Sequence, residues 1–205
     1  MEASADTRLI RRARRLEYFT IAFNSLEGFI AVWAGFSAGS LILIAFGLDN
    51  LIEVALGLTL LWRLHVDQDE ARRKRAEAIT LRVGGICFIA IALYIADDAV
   101  TSLLHRGHYE PAARSNTGIL LAAVSVIVTP FLARAKREAA AEMRSAAMVS
   151  DAKQTNLQIY LSMVVLGGLL LNALSGWWWA DPAAALAMVP FLIMEGVVAL
   201  QGERL

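Results

Sequence analysis

The chain has 205 residues, of which 58% are hydrophobic and only 19% charged. Nineteen Lys plus Arg balance nineteen Asp plus Glu, and zero net charge argues against a nucleic-acid binder. A single cysteine, Cys87, excludes an internal disulfide framework and a cysteine-built zinc site. It sits in an apolar run and reads as a small buried hydrophobe.

The apolar residues come in long blocks divided by short charged stretches, and about 18 or more such residues in a row make a candidate membrane span. Six blocks are expected, at Tyr18 to Ala34, Ser40 to Leu61, Val83 to Leu104, Thr117 to Leu132, Leu157 to Leu174 and Pro182 to Leu200. The fifth helix is expected to begin earlier, near Met148. The fold class is therefore all-α, a polytopic membrane protein of six transmembrane helices. Residues 1–15 form a polar, basic start unlike a cleaved signal peptide, 16–200 the transmembrane domain and 201–205 a short tail.

Seventeen of the nineteen basic residues fall before the first span, at the two even-to-odd connections or at the C-terminus. Only Arg106 and Arg114 lie on the other side. The positive-inside bias puts both termini in the cytoplasm. Trp177, Trp178 and Trp179 then mark the outer interface and Trp62 the inner one. His105 and His108 read as a solvated outer loop or a weak metal-collecting site, and His65 as part of a solvated inner loop. Nucleotide-binding, phosphate-loop and serine-nucleophile motifs are missing, so neither an enzyme nor an ATP-driven pump is indicated.

Ionisable groups at bilayer depth are expensive and point to function. Asp49 lies nine residues beyond Ser40, about 14 Å along the second helix and near mid-membrane. Glu53 follows at i+4 on the same face. Two such anions repel unless a proton or cation lies between them, so the pair reads as an ion site, with a neutralised packing pair as the bland alternative. Asn50 is a neighbour that points off this face. In the first span Asn24 and Glu27 share a face, and Glu27 reads as ligand, proton carrier or interhelical hydrogen-bond partner. In the fifth, Asp151, Gln154 and Gln158 form one stripe. Both amides offer oxygens to a cation, and Asp151 either completes the site or caps its helix among basic residues. Asn172 suits an outer vestibule. Asp181 before Pro182 reads as the N-cap of the sixth helix. Glu195 lies about 21 Å further on, in an inner vestibule or paired with an arginine.

The stretch AFNSLEGFIAVWAGFSAGSLILIAFGLDNLIEVALGLTLLWRL resembles the first two membrane helices of the cation diffusion facilitator (cation efflux) family. DAKQT with its helix, and WWWADPAAALAMVPFLIMEG, resemble the family's fifth and sixth. The resemblance implies a homodimeric exporter that exchanges zinc or another divalent cation for protons by alternating access. Asp49 and Glu53 match the acidic pair of the second helix. Gln154 and Gln158 stand where the family usually has histidine and aspartate, a harder donor set that leaves zinc, manganese, iron, cobalt and magnesium all open. The missing anion is restored if Asp151 or Glu27 supplies it. The family's cytoplasmic C-terminal domain has no counterpart here, which implies dimerisation through membrane helices. The expected substrates are a metal cation and protons, with no resident cofactor and no nucleic acid, in lipid of a cell membrane, the bacterial inner membrane. A transport-inactive binding or assembly protein of the same fold and a channel-like conductor are the competing readings.

Overall fold

The computed structural model describes residues 2–65, 70–104, 112–143 and 146–201. Six α-helices make up the bundle: α1 (Glu2–Ala38), α2 (Leu41–His65), α3 (Glu70–Leu104), α4 (Asn116–Met143), α5 (Ala146–Ser175) and α6 (Ala180–Leu200). All six are long and apolar enough to cross a membrane. The chain is a multi-pass membrane protein. The two histidines His105 and His108 lie outside the described residues, as do the side chains of His65 and Trp62.

Helix continues well past the apolar blocks. The basic stretch before the third span belongs to α3, and the one after the fourth belongs to α4. Ala, Glu, Lys and Arg are strong helix formers, so nothing in those stretches stops the helix at the edge of the apolar zone. We call this side of the bundle the basic end.

Helices α1 and α2 form a hairpin whose turn is Gly39, at a φ of 64°, a left-handed conformation that favours glycine. The pair packs closely. A Cβ added at Gly47 would fall 2.7 Å from the Val32 amide nitrogen and 2.8 Å from the Gly28 carbonyl oxygen. Without a water-driven hydrophobic effect between helices in lipid, such close contact is the main source of association. Gly47→Val is therefore expected to push α1 from α2 and lower stability by about 1–3 kcal/mol. A drop in melting temperature in detergent checks this, and an unchanged value would contradict the close approach.

The α3–α6 pair meets in the same way, with a Cβ at Gly85 falling 2.7 Å from the Gly196 carbonyl oxygen. The third close pair is α4 with α5, and α2 touches α1, α3, α5 and α6. Helix α2 is thus the centre of the bundle. Its Ile42, Leu43, Ala45 and Phe46 are buried with Leu161, Val165, Met188 and Leu192 in an apolar core. Phe29, Trp33, Leu93, Tyr94, Ile127 and Phe131 are exposed around the outside, where lipid chains would meet them.

Asp181 does not cap its own helix. Trp179 occupies the N-cap position of α6 without a side-chain cap. Asp181 instead accepts hydrogen bonds from the Ser40 hydroxyl and, at 2.8 Å, from the Leu41 amide at the start of α2. A carboxylate at a helix N-terminus satisfies donors that the helix cannot. The local Asp-Pro pattern was a sound cap signal, but tertiary packing directs the cap to another helix. Cys87 is likewise exposed rather than buried. It lines an apolar groove between α2 and α3 with Leu51, Ile52 and Val83, because a lipid-facing surface is as apolar as a core.

Candidate cation site

Polar side chains form four successive layers across α1, α2, α4 and α5, each further from the basic end. The first is Glu17, Lys136 and Asp151. Lys136 is buried, with its Nζ 2.9 Å and 2.8 Å from the two Asp151 oxygens and 3.5 Å from Glu17 Oε2. Asp151 is therefore engaged with Lys136 and is not the cap of α5, which begins five residues earlier. It still belongs to the wall of a small polar cavity of about 20 Å³, which it shares with Glu17, Asn24, Glu53, Lys136 and Gln154. That space is enough for about one water molecule.

In the second layer, Asn24 Nδ2 donates to Glu53 Oε2 at 2.8 Å. Gln154 reaches the shared cavity without a hydrogen bond to either acidic residue of α2 among the described residues. The third layer joins Asp49, Asn50, Glu53 and Gln158. Asp49, Asn50 and Gln158 are buried, and Asp49 Oδ1 accepts no hydrogen bond among the described residues. The Gln158 amide meets both carboxylates with its N–H groups, donating to Asp49 Oδ2 at 3.1 Å and to Glu53 Oε1 at 3.2 Å, and its oxygen stands 3.1 Å from the Asn50 amide. Asn50 is also tied to the Phe46 carbonyl one turn back, at 3.0 Å.

Asn50 thus reaches the site from a face that helical spacing alone places aside. The Asp49 and Glu53 carboxylates and the Gln158 amide converge in a buried place. No group of three His, Cys, Asp or Glu residues able to hold a metal exists among the described residues. Two carboxylates this close repel unless a proton or a cation lies between them, and the Gln158 N–H groups offset only part of that repulsion.

The fourth layer is Glu27 with hydroxyls. Ser125 Oγ is 2.9 Å from Ser162 Oγ and 3.3 Å from Thr129 Oγ1, and Ser162 also donates to the Gln158 carbonyl at 2.8 Å. Glu27 is buried and lies within electrostatic range of Asp49. Asn172 Nδ2 donates to the Ala112 carbonyl at 2.9 Å and ties α5 to the chain before α4.

Glu195 approaches from α6. The bond from the Leu41 amide to Asp181 sets the register of α2 and α6, which run in the same direction. Glu195 follows Asp181 by the same fourteen residues that separate Ala55 from Leu41, so it stands within a turn of Glu53 in depth. It is buried and its oxygens have no hydrogen-bond partner among the described residues, so the arginine pairing is not present there. Replacing it by Met is expected to raise stability by roughly 1–3 kcal/mol, the cost of burying an unsatisfied polar group. A melting temperature below that of the wild type would contradict this.

Sequence reasoning missed Lys136, Glu17 and the hydroxyl layer. A signal was present. Glu17, Thr20, Asn24 and Glu27 recur at i, i+3, i+7 and i+10, and Ser125, Thr129 and Lys136 at i, i+4 and i+11, each on one helix face.

A six-helix membrane bundle with charged and amide oxygens gathered at its centre defines a class of protein, one that passes small polar cargo across a bilayer. The family described as the cation efflux transmembrane domain matches residues 18–200, and the chain belongs to that family. It is a cation transporter, and its family consists of transporters rather than enzymes. A comparison with curated proteins gave no match.

Proposed function

We propose that the protein exports a divalent metal cation from the cytoplasm in exchange for protons, by alternating access, as a homodimer in the bacterial inner membrane. The observation that carries this reading is the meeting of the Asp49 and Glu53 carboxylates with the Gln158 amide at the centre of the bundle, where turning the amide would add its oxygen to theirs. The basic end faces the cytoplasm, as the distribution of Lys and Arg requires. A cation entering from that side passes the cavity beside Lys136 and reaches Glu53, then Asp49. Ligation needs ionised carboxylates, so binding releases protons, and protons arriving from the opposite side displace the cation. Oxygen donors favour manganese or magnesium over softer ions without excluding zinc, iron or cobalt. Gln154 and Asp151 guide the cation along the cavity, and Glu27 receives it or a proton beyond Asp49.

Proteoliposomes with internal pH recorded test the reading, using zinc, manganese, iron(II), cobalt and magnesium in turn. Saturable flux with opposite proton movement is expected for at least one ion. No flux for any of the five would instead favour a transport-inactive assembly protein, and currents without proton movement would favour a channel.

A further inference from the structure

Glu195 is only 4% exposed on α6, and neither of its carboxylate oxygens has a hydrogen-bond partner among the described residues. The buried positions of α6 include Asp181, Ala185, Met188, Leu192, Glu195 and Ala199, spaced by three or four along one face. That face turns the carboxylate toward the centre of the bundle, within a turn of Glu53 in depth. Glu195 is within electrostatic range of both Asp49 and Glu53. The other buried acidic groups nearby are placed differently. Glu17 and Asp151 hold Lys136, and Glu27 lies a layer beyond Asp49. Burying a carboxylate without a partner is costly, and a cation is one of the few things that offsets it.

A hard divalent cation takes six or more oxygens. Asp49 and Glu53 bring two carboxylates, and Gln158 turns N–H groups toward them rather than a further donor oxygen. We propose that Glu195 is the third carboxylate ligand of the cation site, so that α6 as well as α2 holds the divalent cation. Carboxylates repel one another, and Glu195 stands back from the pair: no three acidic side chains among the described residues are close enough to share an ion. A divalent cation between Asp49 and Glu53 cancels that repulsion and has coordination positions left over. Glu195, anchored by no hydrogen bond among the described residues, fills one of them by a change of rotamer. A set of carboxylate oxygens is hard and suits manganese or magnesium. The role rests on the cation-site reading given above and adds an anionic donor to it.

The test is titration of Mn²⁺ into the purified full-length chain in lipid nanodiscs, followed by calorimetry. Glu195→Gln removes the charge and is expected to weaken binding by about thirtyfold or more, the effect of taking one partner from a buried charge interaction. Its melting temperature without Mn²⁺ is expected to be no lower than that of the wild type, a combination that packing damage would not produce. Glu195→Asp separates ligation from a charge acting at a distance. It keeps the charge but shortens the side chain by one methylene, so a ligand loses its reach while a distant charge acts as before. Binding is expected to fall by at least the roughly tenfold that disturbing even an outer-shell partner brings. Wild-type affinity in either variant overturns the proposal, and should Glu195→Gln not fold, Glu195→Asp decides alone. Asp49→Asn in the same series separates the two levels. If it binds as tightly as wild type, the cation site itself is wrong, whereas lost binding there with unchanged binding in Glu195→Gln removes only the role of Glu195.

Discussion

Asp49→Asn is expected to weaken cation binding and slow transport by about a hundredfold, while the protein still folds. Removing one charge from a desolvated charge pair costs about 2–5 kcal/mol, and each 1.4 kcal/mol is a factor of ten. Asp49 is the right residue for this test because it is fully buried, meets the Gln158 amide through one oxygen and has a second oxygen that accepts no hydrogen bond among the described residues. A structural carboxylate would have its oxygens satisfied, and its loss would lower the melting temperature. Here the melting temperature without cation is expected to stay level or rise, while the stabilisation that an added cation provides disappears. A fall in stability with unchanged flux would show that the Asp49–Glu53 pair only packs the bundle.

Lys136→Met is expected to have the largest effect on stability. The ammonium is held between Asp151 and Glu17 where α1, α4 and α5 meet, and breaking a buried ion pair from one side leaves charge without compensation. Such changes cost about 3–5 kcal/mol, enough to lose most of the folded protein from a detergent extract. Neutralising the partners together with it is expected to restore much of the loss. The triple variant Lys136→Met, Glu17→Gln, Asp151→Asn should be recovered by size-exclusion chromatography in nearly wild-type amount. A Lys136→Met chain as heat-stable as wild type would show that the cluster carries no such energy. The exposed pairs from Arg12 to Glu138 and Glu142, at 2.8 Å and 3.2 Å, are a useful contrast. Solvent and salt screen them, and removing Arg12 is expected to cost less than about 1 kcal/mol.

The number of helices was legible because each apolar block comes near the thickness of a bilayer core and its helix runs on past the block, a constraint that tertiary structure cannot override. The Asp49–Glu53 pair was legible because a spacing of four puts both carboxylates on one helix face. What could not be read was any contact that depends on which helices become neighbours. Asp181 has the local pattern of a cap, yet its acceptors serve α2, because the starts of α2 and α6 lie side by side. Asn50 points off the Asp49–Glu53 stripe, and only the approach of α5 brings Gln158 within its reach. Lys136 sits in a stretch with many basic neighbours, so its burial was hidden among residues of the same charge. The exposure of Cys87 was illegible for a different reason. In a membrane protein, surface and core are both apolar, so composition does not separate them.

The most direct measurement is a structure of the wild-type protein soaked in Mn²⁺, with anomalous diffraction used to locate the ion. The account predicts a peak between Asp49 and Glu53 beside the Gln158 amide, with manganese–oxygen separations of about 2.2 Å, slightly longer than the ~2.1 Å of magnesium. A peak between Glu17 and Asp151 with none beside Asp49, or no peak inside the bundle at saturating Mn²⁺, would contradict it.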